Sequence, residues 1–125
     1  MLHKTFLLAG SIFAGLGVAI GAFGAHKLKD FLVETERLDT FEKGVMYQFY
    51  HSFALLIVGI LIMQTQFNSK YLNYAGFSFI AGIIIFSGSL YILCLTETPR
   101  WGVVTPIGGV CMIAGWVFVC MSLLK

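Results

Sequence analysis

The sequence predicts an all-α membrane protein with four transmembrane helices in a compact bundle, and three observations lead to this fold class. Hydrophobic residues make up 58% of the chain, only 11% of residues are charged, and the mean hydropathy is +0.89. A domain of 125 residues in water keeps too large a surface for its volume to hide so much apolar area. The charged residues are also clustered, which leaves long stretches without Asp, Glu, Lys or Arg.

Each uncharged stretch is long enough to cross the hydrocarbon core, for which a helix needs about 20 apolar residues. The first stretch resembles a secretory signal because Lys4 precedes it, but its apolar run is longer than a signal core and further spans follow. We therefore expect a retained first helix. The single membrane domain, 1–125, is predicted to hold spans at about 5–25, 44–66, 71–95 and 103–124.

The connector 27–38 between the first two spans is the one sizeable polar segment. Leu28, Phe31, Leu32 and Leu38 recur in it at helical spacing among charged residues. This pattern predicts a short amphipathic helix in the membrane interface. The alternative is an ordered loop whose apolar residues cap the bundle.

Two local patterns predict where helices begin. Asp39 followed three residues later by Glu42 is typical of a capping box, so the second helix is expected to start before the membrane. Glu42 at the mouth of this span also suits the helix dipole. Thr105 before Pro106 is typical of an N-cap followed by proline in the first turn of the fourth helix.

The distribution of Lys and Arg favours an orientation with both termini outside the cell. The connectors between spans one and two and between spans three and four would then lie in the cytoplasm, which is called the connector side below. All six acidic residues lie on the connector side as well, which weakens the preference. The connector side holds Lys27, Lys29, Arg37, Lys43 and Arg100, whereas the other side holds Lys4, Lys70 and Lys125.

Small residues at helical spacing predict how the helices pack. In lipid there is little hydrophobic drive between helices, so close backbone contact through small side chains matters. We expect packing within one chain, and the alternative is a seam between copies in an oligomer. The predicted packing residues are Gly10, Ala14, Gly17, Gly21 and Gly24 in span one, Gly82 in span three, and Gly108 and Gly115 in span four.

The second span carries the polar groups that most need an explanation. Tyr47, Gln48 and His51 share one helical face, while Phe49 and Phe53 lie opposite and are expected to face lipid. A polar group roughly 10 Å inside the membrane needs a partner or water. The candidate functional cluster is therefore His26, Glu42, Tyr47, Gln48, His51, Ser87, Ser89 and Thr105, with Tyr91 as a further candidate partner of His51.

Three roles are open for His51. As a neutral ring it bonds across helices and fixes their register. As a titrating group it relays protons or gates a small solute. As a metal ligand it acts with His26 and a cysteine, but no spacing such as CxxC or HxxxH supports this, and we expect no metal or cofactor. The three cysteines, Cys94, Cys111 and Cys120, are interpreted as free thiols in apolar stretches.

Five motifs resemble the signatures of one family. They are GAFGAH at 21–26, FEKG at 41–44, YQFYH at 47–51, FSGSLY at 86–91 and TPIGG at 105–109. The chain is similar, over nearly its whole length, to the small membrane proteins called domain of unknown function 423, the transmembrane protein 256-like family. This resemblance implies a small inner- or plasma-membrane protein with four spans, and it implies no activity.

The sequence therefore favours some functional classes over others. A net charge of +2 is too small to indicate a nucleic-acid partner, and no phosphate loop, nucleophile elbow or pair of carboxylates inside the membrane indicates an enzyme. We expect a structural or accessory subunit of a bacterial cell membrane that contacts copies of itself or a partner protein within the lipid bilayer. The alternative is a small channel or transporter with a polar pathway lined by the second helix.

Overall fold

The computed structural model describes residues 2–124, and within that range every regular element is a helix. Lys125, which entered the charge count above, and Met1 lie outside the described residues. The elements are α1 (Leu2–Ala25), α2 (Lys29–Glu34), α3 (Leu38–Ile62), α4 (Ser69–Gly82), a π-helical turn (Ile83–Ser87), α5 (Gly88–Thr96), a 3₁₀ turn (Pro99–Val103) and α6 (Thr105–Leu123).

Four helical segments of the described chain are long and apolar enough to cross a membrane, which confirms the predicted fold class. They contain 24 to 28 residues each, and their mean hydropathy lies between 1.8 and 2.2. The third is continuous, since α4, the π-helical turn and α5 follow one another without a break. In chain order, the first to fourth spans are Leu2–Ala25, Leu38–Ile62, Ser69–Thr96 and Pro99–Leu123.

The second and third spans form the centre of the bundle. The first span packs chiefly on the second and α6 packs chiefly on the third, while the second and third spans pack on each other. In the most apolar part of each span, 39% and 44% of residues are buried in the two central spans, against 17% in the first and fourth. Most of the first and fourth spans therefore faces outward, where large apolar side chains such as Val18 and Val110 are exposed.

The connector contains the predicted short helix, α2. Leu32 on this helix is fully buried and packs with Phe41, Leu93 and Cys94 at the ends of the second and third spans. Glu36 then adopts a left-handed conformation, with φ of 57°, and turns the chain into α3. The connector therefore also closes one end of the bundle.

Both predicted helix caps are wrong. Helix α3 begins at Leu38 after Arg37, and the Asp39 carboxylate instead pairs with Lys43 at 3.3 Å, one turn along the helix. Helix α6 begins at Thr105 itself, because the preceding 3₁₀ turn runs directly into it through Val104. The Thr105 hydroxyl contacts the Ser89 hydroxyl of the third span.

The first span meets the second span through glycines at three levels. A Cβ atom on Gly10 would lie 2.8 Å from the Ser52 carbonyl oxygen, and one on Gly24 would overlap the Phe41 ring. Gly17 receives the ring of Phe49, whose nearest atom lies 3.0 Å from the Cβ position. The expectation that Phe49 faces lipid is therefore wrong, because its ring covers a glycine of the neighbouring span. Ala14 and Gly21 lie beside this seam and are half-buried.

The third and fourth spans come closest at the π-helical turn. A Cβ atom on Gly108 would overlap the backbone of Phe86 in that turn. One turn further, a Cβ on Gly82 would lie 2.6 Å from the Met112 side chain, and Gly115 gives room to the Phe79 ring. Backbone therefore packs directly on backbone here, which is how small residues hold membrane helices together.

This close approach predicts that Gly108→Ala destabilises the bundle, because the added methyl group meets backbone atoms that cannot turn aside. We expect a loss of about 1–3 kcal/mol in the free energy of unfolding. The matched control is Gly109→Ala, whose Cβ has its nearest neighbour, Phe86 Cδ2, at 3.9 Å. Denaturant unfolding in micelles, followed by helical circular dichroism, measures both variants. Equal stability of the two variants would contradict the proposed contact.

Candidate functional site

His51 lies on α3 with 5% of its surface exposed, and both of its ring nitrogens have partners. Nδ1 is 2.8 Å from the Tyr47 carbonyl oxygen, and Nε2 is 3.1 Å from Nε1 of Trp116. An indole N–H can only donate, so Nε2 accepts from Trp116 and Nδ1 carries the ring hydrogen that is donated to Tyr47. The two contacts thus assign one neutral tautomer to the ring.

Aromatic rings from three spans surround His51. The Phe79 ring lies 5.5 Å from it and the Trp116 ring 5.8 Å, and these two rings pack edge to face at 4.9 Å. The Tyr47 ring stacks on the remaining side at 6.2 Å. The histidine is therefore enclosed by aromatic packing, with its polar edges bonded.

Gln48 joins three spans through its amide group. Its Nε2 donates to the Phe13 carbonyl oxygen in the first span at 2.7 Å, and its Oε1 accepts from the Tyr91 hydroxyl in the third span at 2.6 Å. Only 3% of Gln48 is exposed. A polar side chain at this depth needs such partners, because the hydrocarbon offers none.

Ser87, at the end of the π-helical turn, adds a second bond between the second and third spans. Its hydroxyl donates to the Gly44 carbonyl oxygen at 2.6 Å. The close approach of the second and third spans here needs a glycine at position 44, since a Cβ atom there would lie 2.8 Å from the Tyr91 ring. The hydroxyls of Ser87 and Tyr91 therefore fix the third span against the second.

Ser89 and Thr105 form a separate link between the third and fourth spans. Their hydroxyl oxygens are 2.6 Å apart, and either one can donate. Ser89 is almost fully buried and also reaches the Phe86 carbonyl oxygen at 3.0 Å. The hydroxyl that was expected to cap α6 thus joins two helices.

His26 and Glu42 lie away from these links. Both are exposed, His26 just after α1 and Glu42 in the first turns of α3. Gly24 meets Phe41 at this end of the bundle, whereas His51 lies ten residues further along α3, roughly 15 Å away. The structure therefore does not bring His26 and His51 together. In the part of the chain that the structure describes, no three His, Cys, Asp or Glu residues cluster in a way that could hold a metal ion.

The predicted cluster is therefore divided among several contacts. Tyr47, Gln48 and His51 do share a helix, but Tyr91 bonds to Gln48 and not to His51. Sequence reasoning missed Trp116, which is the partner of the histidine ring. The signal that could have found it is its place in the middle of the fourth span, where a buried or half-buried indole N–H needs an acceptor.

A groove of about 220 Å³ lies between the first and third spans, beside the polar contacts of Gln48. Gln48, Ser87 and Tyr91 lie at its base among apolar side chains such as Phe13 and Ile84. Each of these three polar side chains already has a partner within the chain. The chemistry that the described residues offer here is helix-to-helix bonding.

Comparisons with known proteins agree on one family. The sequence profile of the family described as protein of unknown function (DUF423) matches residues 20–109. A UPF0382 membrane protein of Staphylococcus aureus is 44% identical over 122 residues, covering 98% of this chain and 97% of the relative. The UPF0382 membrane protein YwdK of Bacillus subtilis is 38% identical over 122 residues, covering 98% of each chain. No solved structure matches the chain.

The Gln48–Tyr91 contact predicts that Tyr91→Phe destabilises the protein by about 1 kcal/mol, because the amide oxygen loses its donor in the membrane interior. The matched control is Tyr50→Phe, since Tyr50 is 51% exposed. Reversible unfolding in micelles measures both changes. A loss in Tyr50→Phe as large as that in Tyr91→Phe would show that the hydroxyl contact with Gln48 adds no stability of its own.

Proposed function

The chain belongs to the DUF423 family of membrane proteins of unknown function, and from this premise we propose that it is an accessory subunit of the cell membrane that acts through helix–helix contacts. The proposal includes no enzymatic activity. The observation that supports it most directly is the outward face of the first span.

The first span has small residues on two faces. One face, with Gly10, Gly17 and Gly24, is buried against the second span. The other face is exposed, and a Cβ atom on Gly15 would meet nothing within 4 Å. The small residues of this outward face, at i, i+4, i+8 and i+11, are Ser11, Gly15, Ala19 and Ala22.

The outward face has no role in packing its own bundle. Small residues in a membrane helix allow another backbone to approach closely, and the contact energy comes from that approach. Ser11 already bonds to the Leu7 carbonyl oxygen of its own helix at 2.8 Å, so the face is also free of unmet polar groups. A partner helix, from a second copy or from another membrane protein, fits such a surface.

The packing of the second span favours this role over a channel or transporter. A polar pathway along that span would need water at Gln48 and His51. These side chains are 3% and 5% exposed, and the amide and ring atoms that water would meet are bonded to Phe13, Tyr91, Tyr47 and Trp116.

We expect Gly15→Leu to weaken association roughly tenfold, which corresponds to about 1.4 kcal/mol, because a leucine blocks close approach of a partner helix. The fold should persist, since the new side chain points into open space. Crosslinking in native membranes with quantification of the linked species, followed by purification of the chain with its partners, measures the effect.

The matched control is Gly88→Leu, the same change at a second glycine whose Cβ position is open, but in the third span. This variant should keep the association of the wild type. If wild type is only monomeric and purifies without a partner, or if Gly15→Leu associates as the wild type does, the proposed function is wrong.

A further inference from the structure

We propose that the contact between His51 and Trp116 is a pH-sensitive latch, which holds the fourth span to the second span while the histidine is neutral and releases the indole when the ring is protonated. The proposal goes beyond helix–helix assembly, since it concerns a movement inside one bundle. It rests on the geometry of one side-chain pair, and it holds whether or not the outward face of the first span has a partner.

The chemistry of the two side chains makes the contact depend on one proton. A proton taken up from water adds to the lone pair of Nε2, and no other covalent bond changes. Nε2 then becomes a donor facing the Trp116 N–H, which cannot accept, so the 3.1 Å hydrogen bond is lost. The bond from Nδ1 to the Tyr47 carbonyl oxygen persists, because Nδ1 donates in both states.

The bond from Trp116 to His51 links the fourth span to the second. Within residues 2–124, it is the one side-chain hydrogen bond recorded between α3 and α6. The third span lies against both helices and holds them mainly through other contacts. Loss of the bond therefore frees the indole and leaves the bundle assembled.

The indole has room to move. Trp116 is 44% exposed, whereas Phe79, against which it packs, is fully buried. The indole meets the histidine edge to face, with 60° between the ring planes. A protonated ring is attracted to an aromatic face, so the indole must turn to offer one, or else leave toward the lipid.

Among residues 2–124, the side chains found against the His51 ring are aromatic and carry no charge. From its own helix, the phenol of Tyr47 is the titratable side chain that faces it. The third span presents Phe79 and the fourth span presents Trp116, neither of which ionises. Protonation of His51 therefore leads to movement of Trp116 and not to formation of an ion pair.

Tryptophan fluorescence tests the latch directly, because the chain contains two tryptophans. Trp101→Phe leaves Trp116 as the single reporter, and the full-length protein is placed in phosphatidylcholine vesicles. Lowering the pH from about 8 to about 4 should change Trp116 emission about twofold in one transition, as the ring of His51 gains its proton.

Two controls identify the histidine. In the same background His51→Gln should give no transition, because the glutamine oxygen accepts from the indole without titrating, whereas His26→Gln should keep the transition. The reverse reporter, Trp116→Phe with Trp101 retained, should stay unchanged over the pH range. Circular dichroism confirms that each variant is folded.

The proposal is overturned if Trp116 emission does not change with pH, or if the change survives in His51→Gln. A change of equal size in Trp101 would also overturn it, because the response would then belong to the whole protein. If His51→Gln fails to fold, the two single-tryptophan proteins still test the proposal, because both retain His51 and only a transition confined to Trp116 is compatible with the latch.

Discussion

Polar side chains deep in a bilayer are costly unless they bond to other protein groups, and the arrangement of the four spans follows from this cost. Of the six buried polar side chains among residues 2–124, three lie on the second span, which is central in the bundle. Gln48 bonds to the first and third spans, and His51 bonds to the fourth. One helix thus has a specific polar contact with each of the other three, and these contacts set which faces meet and at which height.

Such short bonds are geometrically possible because glycine removes side-chain bulk where helices cross. Gly44 lets the Tyr91 ring reach Gln48, and Gly108 brings the fourth span onto the backbone of the π-helical turn. Polar bonding and close packing are therefore two aspects of one arrangement. Gly15 differs from these glycines, because nothing in its own chain fills the space beside it. That difference is the physical basis for a role in assembly.

The positions of the helices were easier to predict from the sequence than the contacts between them. Long uncharged stretches mark the spans, because a charged side chain in the hydrocarbon core is energetically costly. Helical spacing shows which side chains share a face, but not which helix that face meets. Phe49 is therefore found against Gly17 and not in lipid, and Trp116 is found on His51. The caps at Asp39 and Thr105 failed because both residues lie inside the first turn of their helices, where their side chains bond to Lys43 and Ser89.

The protonation state of the His51 ring in a lipid bilayer is the sharpest test of the contact between the second and fourth spans. Solid-state NMR of protein with ¹⁵N-labelled histidine, compared with His51→Gln to assign the signal, distinguishes the two neutral tautomers. At neutral pH we expect a ring with hydrogen on Nδ1 and an unprotonated, hydrogen-bonded Nε2 close to the Trp116 indole proton. Hydrogen on Nε2 would contradict this expectation, because Nε2 could then not accept from the Trp116 indole and the second span would not be bonded to the fourth.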